Sequence, residues 1–346
     1  MTASHALEPT ADPARPVVDP TRSATGPTGP AADPTASAAS HAGGLDGPAP
    51  ATFSELFAVS AFRVVFASRS LAVVADTLRI VALSVLVLQT TRSAWLSAVA
   101  FGIGFLPQAV GGLLFGSLAD RIRPRRLIAV GYLLECVTAV GLALVPMPAW
   151  AMLVLVALVA TGAPVFNGTS SRLVADVLHG DAYVLGRSMM SMSGGAAQLL
   201  GLAAGGLTVT AIGPHRALLA TAGCHLVAAV IVRYGLPSLP AAARPADVSA
   251  VRQSWTTNTT LLADPRVRRL LLIQWLPCAF VVGAEALLVA YSAARGFSSA
   301  TAGLLLASSP AGMLIGQFVV GRLLRPSVRT HAVAPLILVS GLPLLI

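Results

Sequence analysis

Long apolar runs alternate with short polar breaks through most of this chain. The runs fall at roughly 63–89, 95–116, 127–147, 149–169, 188–211, 216–236, 269–292, 298–322 and 331–346. Most have the ~20 residues that an α-helix needs to cross a ~30 Å hydrocarbon core. They predict eight full spans and one short one, in an all-α integral membrane protein. Residues 1–52 differ: rich in Ala, Pro, Thr, Ser and Asp, they hold no apolar run and no helical periodicity that buries a face. Such a segment reads as a disordered tail. A secretory signal would need a basic start followed by an apolar stretch, and neither is present.

Composition strengthens the membrane reading. The 346 residues are 55% hydrophobic and only 11% charged, against about a quarter charged in soluble domains. A water-soluble fold of this make-up would have almost no charged surface, so lipid must cover much of it. The formal charge is +9, and all 23 basic residues are Arg. These lie between the apolar runs, where they act as topology signals rather than a nucleic-acid footprint. Breaks 2-3, 4-5, 6-7 and 8-9 hold fifteen of them, among them Arg121, Arg123, Arg125, Arg126, Arg172, Arg187, Arg233, Arg266 and Arg325. The alternate breaks hold Arg92, Arg216 and Arg295 alone. Retention of Arg on the cytoplasmic side places the N-terminal tail in the cytoplasm of a plasma-membrane (bacterial inner-membrane) protein. Cys136, Cys224 and Cys278 sit in apolar stretches without CxxC or His spacing, so neither a metal site nor a disulfide framework is expected.

The longest internal break, about 237–267, follows span six. It divides the chain into a tail (1–52), a six-helix bundle (53–236), a central loop (237–267) and an incomplete second bundle (268–346). Two landmarks support a repeat. Phe62-Arg63 and Val267-Arg268 are 205 residues apart, and so are Gly116 and Gly321, each opening an Arg-rich break.

The break after span two reads Gly116-Ser117-Leu118-Ala119-Asp120-Arg121-Ile122-Arg123-Pro124-Arg125-Arg126. A carboxylate among guanidiniums can hold a tight turn through charge-assisted hydrogen bonds. This segment resembles the G-x-L-A-D-R-x-G-R-R signature of the major facilitator superfamily, with Arg123 at the Gly position and Pro124 at an Arg position. Phe62-Arg63, Asp76 in span one and Asp264-Pro265-Arg266-Val267-Arg268-Arg269-Leu270 before span seven are similar to the siderophore and macrolide-efflux branch. By this resemblance Gly116, Asp120, Arg121, Arg125 and Arg126 form a cytoplasmic gate. Span five carries Gly201-Leu202-Ala203-Ala204-Gly205-Gly206, similar to an antiporter signature with Leu202 in place of Pro. Gly201 and Gly205 share one helix face, which serves either close helix packing or an antiport-related bend.

Ionisable residues inside spans are costly, so each is a functional candidate. Asp76 and Arg79 share a face of span one, as a structural or gating ion pair or as a proton or substrate site. Glu135 in span three has no basic residue one turn away. Its carboxyl is therefore desolvated unless another span supplies a cation, which is what a proton-coupling group needs. Glu285 in span seven is similarly isolated, with an interhelical hydrogen bond as the alternative. Asn167, Gln198, His225, Gln274 and Gln317 read as bonded to neighbouring helices, and His179 and Asp181 as solvated.

A chain without Lys encodes no G-x-x-x-x-G-K-[ST] nucleotide loop, and no G-x-S-x-G elbow is present, so neither direct nucleotide-driven pumping nor an enzyme is expected. No cofactor is called for. The resemblance implies a secondary transporter in the lipid bilayer, exporting a small hydrophobic or amphiphilic molecule against protons by rocking of two bundles about a midplane site. The superfamily's usual twelve spans leave three and a fraction unaccounted for after His331–Ile346, whose 16 residues make only ~24 Å of helix. A truncated, nontransporting remnant, in which Asp120 lacks its usual partner, is the alternative.

Overall fold

The computed structural model describes residues 52–116, 122–238 and 250–322. The tail, Asp120, Arg121 and the last apolar run lie outside them. Every regular element among the described residues is a helix, the form in which a segment in lipid satisfies its own backbone hydrogen bonds. In order these are α1 (Phe53–Ala58), α2 (Ser60–Thr91), α3 (Ala94–Gly102), α4 (Phe105–Phe115), α5 (Pro124–Leu144), α6 (Ala149–Val177), α7 (Gly180–Gly235), α8 (Ala250–Ala263), α9 (Pro265–Ala294) and α10 (Ser299–Arg322).

Local chemistry sets the ends. Thr52 and Glu55 close a capping box on α1. Ser93 caps α3 by accepting from the Leu96 N–H, and Asp264 caps α9 by accepting from the Arg266 N–H at 2.8 Å. Pro124 and Pro265 each begin a helix, where a missing N–H costs nothing. The second apolar run, read as one helix over 95–116, is broken between α3 and α4. Gly102 and Gly104 flank the break, and Pro107, which cannot donate to a preceding turn, falls in the first turn of α4.

Among the described residues, seven helical stretches are long and apolar enough to cross a membrane. The 56 residues of α7 would span ~84 Å if straight, nearly three membrane thicknesses. It is not straight: Gly213 has φ 81° and ψ 165°, a glycine-only conformation, followed by Pro214. Gly186 in the first arm approaches Leu56 and Phe62, and Gly235 in the second approaches Val64. Both ends of α7 therefore meet the same end of α2, and the helix is a hairpin of two spans, as the gap between runs at 212–215 predicted.

Helix α2 is the buried axis, with both arms of α7 packed along it. Its buried residues run unbroken from Val81 to Val87, as a helix apolar on all sides must have them. Two cores flank its midpoint. At the Arg-poor end Leu83, Val87, Phe101, Leu142 and Leu218 join Ala286 and Val289 of α9 and Leu306 of α10. At the Arg-rich end Phe62, Ile128, Leu173, Val232 and Leu236 pack, among the described side chains, without any of α9 or α10. Helix α10 runs antiparallel to the first arm of α7, with Gly303 opposite Gly206 and Leu314 opposite Gly195.

The central break, read as a loop over 237–267, contains α8. Asn258 Nδ2 donates to the Leu113 carbonyl at 3.2 Å, tying α8 to the last turn of α4.

Candidate functional site

Four ionisable side chains from three helices converge beside the middle of α2. Asp76 and Arg79 are one turn apart, and Arg79 Nη2 lies 3.3 Å from Asp76 Oδ1. The same nitrogen lies 3.5 Å from Glu135 Oε2 on α5. His225, on the second arm of α7, places Nε2 3.5 Å from Asp76 Oδ1. The His225 side chain is 1% exposed, Arg79 11% and Glu135 12%, whereas Asp76 is 42% exposed. Asp76 is thus the member that meets the cavity most openly.

Close packing holds the cluster. Gly201 sits against Val74 and Thr77, and Gly205 against Leu78 and Val81, so the first arm of α7 lies backbone to backbone along the turns of α2 that carry Asp76 and Arg79. A cavity of about 160 Å³ opens beside the charges, with Phe101, Phe105, Tyr132 and Phe166 on its walls and Gln108 and Asn167 as further polar groups. A side chain at Gly131 would run into the Phe166 ring, only 2.6 Å from where its first carbon would lie. Asn167 accepts a hydrogen bond from Arg69.

The electrostatics follow from a charge count. Two carboxylates and one guanidinium leave one negative charge, and a single proton, on His225 or on a carboxyl, neutralises the group. Arg79 Nε, Glu135 Oε2 and both ring nitrogens of His225 are buried with no hydrogen-bond partner among the described residues. The separations of 3.3–3.5 Å exceed the 2.7–2.9 Å of tight charge-assisted bonds. The cluster is therefore paired by charge but not saturated by hydrogen bonds.

One ligand atom each from Asp76, Glu135 and His225 lies within 4.8 Å of the others, a spacing that could hold a metal ion. The Arg79 guanidinium, however, already lies against both carboxylates, and a cation bound among them would have to displace it. The donor set fits a proton better than a metal.

The structure thus brings together three of the residues singled out in the sequence, Asp76, Arg79 and Glu135, and supplies Glu135 with the cation its own helix lacks. Glu285, partly buried on α9, stays apart from them and has no hydrogen bond or ion pair among the described residues. His225 is the member that sequence reasoning assigned to plain helix contacts. Of the gate motif, Gly116 caps α4, where the first carbon of a side chain would lie 3.9 Å from Ser254 Oγ of α8, and Arg125 and Arg126 occupy the first turn of α5. Asp120 and Arg121 fall outside the described residues. Gly206 faces Gly303 of α10 rather than α2.

Around this charged, aromatic-walled cavity the sequence matches the profile of one family, the Major Facilitator Superfamily, over residues 51–346. The chain belongs to this superfamily. No curated protein matches it. As a member of the superfamily it is a multi-pass membrane protein and a secondary transporter, with a small molecule as cargo and the bilayer as its surroundings.

Proposed function

We propose that this superfamily member exports a small hydrophobic or amphiphilic molecule in exchange for protons, with Asp76, Arg79, Glu135 and His225 as the proton-carrying group. The observation that carries the reading is the cluster of four ionisable side chains on the wall of an aromatic cavity, one proton short of neutrality. A buried charge imbalance inside a bundle is costly, so proton binding there changes the free energy of the cavity that receives the cargo. The aromatic walls supply apolar contact, and Gln108 and Asn167 supply hydrogen bonds. The Arg-rich breaks face the cytoplasm in this reading, and segments 53–236 and 268–346 rock about the site.

The test uses everted membrane vesicles loaded by a proton gradient, with ethidium and rhodamine as probes. Wild-type vesicles are expected to accumulate probe only while the gradient stands. Glu135→Gln and Asp76→Asn should each lower gradient-driven uptake about 5–150-fold, the range given by a coupling free energy of 1–3 kcal/mol. Gradient-driven uptake unchanged in both variants would overturn the assignment.

A further inference from the structure

At the Arg-rich end, away from the cavity, a second hollow of about 200 Å³ is lined by Arg123, Arg125, Arg126, Arg233 and Ser238. Four guanidiniums face one small space, and no acidic side chain lines it among the described residues. Among the described residues, Arg123, Arg125 and Arg126 make no side-chain hydrogen bond or ion pair. The guanidinium carbon of Arg233 lies 5.7 Å from the centre of the Tyr234 ring. Helix α5 begins in this place, with Arg123 as N-cap and Pro124 at its first position, so the positive end of its dipole adds to the side-chain charge. Like charges gathered around one space repel one another, and an anion at their centre relieves that repulsion.

We infer that this hollow binds the phosphate of an anionic phospholipid. A phosphate offers several acceptor oxygens to forked guanidinium donors, and Ser238 adds a hydroxyl. The membrane is favoured over a soluble source by the level at which the hollow sits. The apolar run of α5 starts at Leu127, immediately after Arg126, and α7 ends in Val232-Arg233-Tyr234. Tyr234 is 80% exposed, in the manner of aromatic side chains at the edge of the hydrocarbon layer. The hollow therefore lies at the depth of lipid phosphates, between two spans that pack along each other, the kind of basic interhelical pocket that holds lipid headgroups. The inference does not depend on the direction of transport or on proton coupling.

Purified full-length protein in detergent is mixed with equal amounts of phosphatidylglycerol and phosphatidylcholine, and retained lipid is counted by native mass spectrometry. Wild type is expected to retain phosphatidylglycerol preferentially. Arg123→Gln and Arg233→Gln should each lower that preference about fivefold, from the contribution of one basic side chain beside an anionic leaflet. Arg233→Lys should keep most of it. Arg295→Gln, at the other end of the molecule beside Tyr291, should leave it unchanged and shows that net charge alone is not responsible. Equal retention of the two lipids, or an undiminished preference in both Gln variants, overturns the inference. Displacement of phosphatidylglycerol by equimolar glycerol phosphate or inorganic phosphate overturns the membrane source and assigns the hollow to a soluble anion.

Discussion

Arg79 is the residue on which the interior charges depend. It serves two carboxylates at once, and its removal leaves both in a low-dielectric bundle. Arg79→Met keeps the side-chain volume and should destabilise the protein by about 3–5 kcal/mol, the range for breaking a buried pair from one side. Neutralising the partners as well, in Asp76→Asn/Arg79→Met/Glu135→Gln, should recover most of that loss, read as thermal unfolding in detergent. Glu135 is far less exposed than Asp76, so a double-mutant cycle should give a larger coupling for Arg79 with Glu135 than with Asp76. Sequence spacing showed the Asp76–Arg79 pair because three residues on a helix make one turn. It also showed that Glu135 needed a cation from elsewhere, but not which, because contacts between spans leave no trace in local spacing. His225 stands 149 positions after Asp76. A lone His in an apolar run is usually a packed, hydrogen-bonded side chain, so nothing in its neighbours marked it out.

The elements owe their arrangement to a few glycines. Gly213 occupies a backbone region that side chains avoid, and Gly213→Ala should cost about 1–3 kcal/mol through strain alone. Where Gly206 meets Gly303, the Gly303 Cα lies 2.8 Å from where a Gly206 Cβ would fall. Even Ala there must separate α7 from α10, and Gly206→Leu should lower the melting temperature more than Gly223→Leu, whose Cβ would meet open space. The spans themselves were legible, because a lipid-crossing helix has to be a long apolar run and little else can imitate one. The hairpin in α7 was legible for the same reason. Helix α8 was not: its Thr-, Ser- and Asn-rich sequence has few apolar residues, and the Asn258 bond ties it to a carbonyl 145 residues earlier. The split between α3 and α4 was hidden by apolar residues that continue across it, although Pro107 marked the restart.

At the scale of the whole molecule, the two ends differ in both charge and packing. The Arg-poor end has a core that α9 and α10 share with the first six spans, whereas among the described side chains the core of the Arg-rich end takes none from either. The proposed orientation puts the Arg-poor end outside, and cysteine labelling tests it. Cys136, Cys224 and Cys278 are first replaced by Ala, and single cysteines are then placed at exposed positions in the breaks. Pro146→Cys and Phe297→Cys belong to the Arg-poor end, and His179→Cys and Ser238→Cys to the Arg-rich end. A membrane-impermeant maleimide should label the first pair in intact cells and the second pair only after permeabilisation. The reverse pattern would turn the molecule over in the membrane, and the Arg distribution would then have failed as a topology signal. It would leave the proposed exchange in place, because an inward proton gradient drives antiported cargo outward whichever way the molecule is inserted, and only the side from which protons and cargo first reach the Asp76 cavity would change.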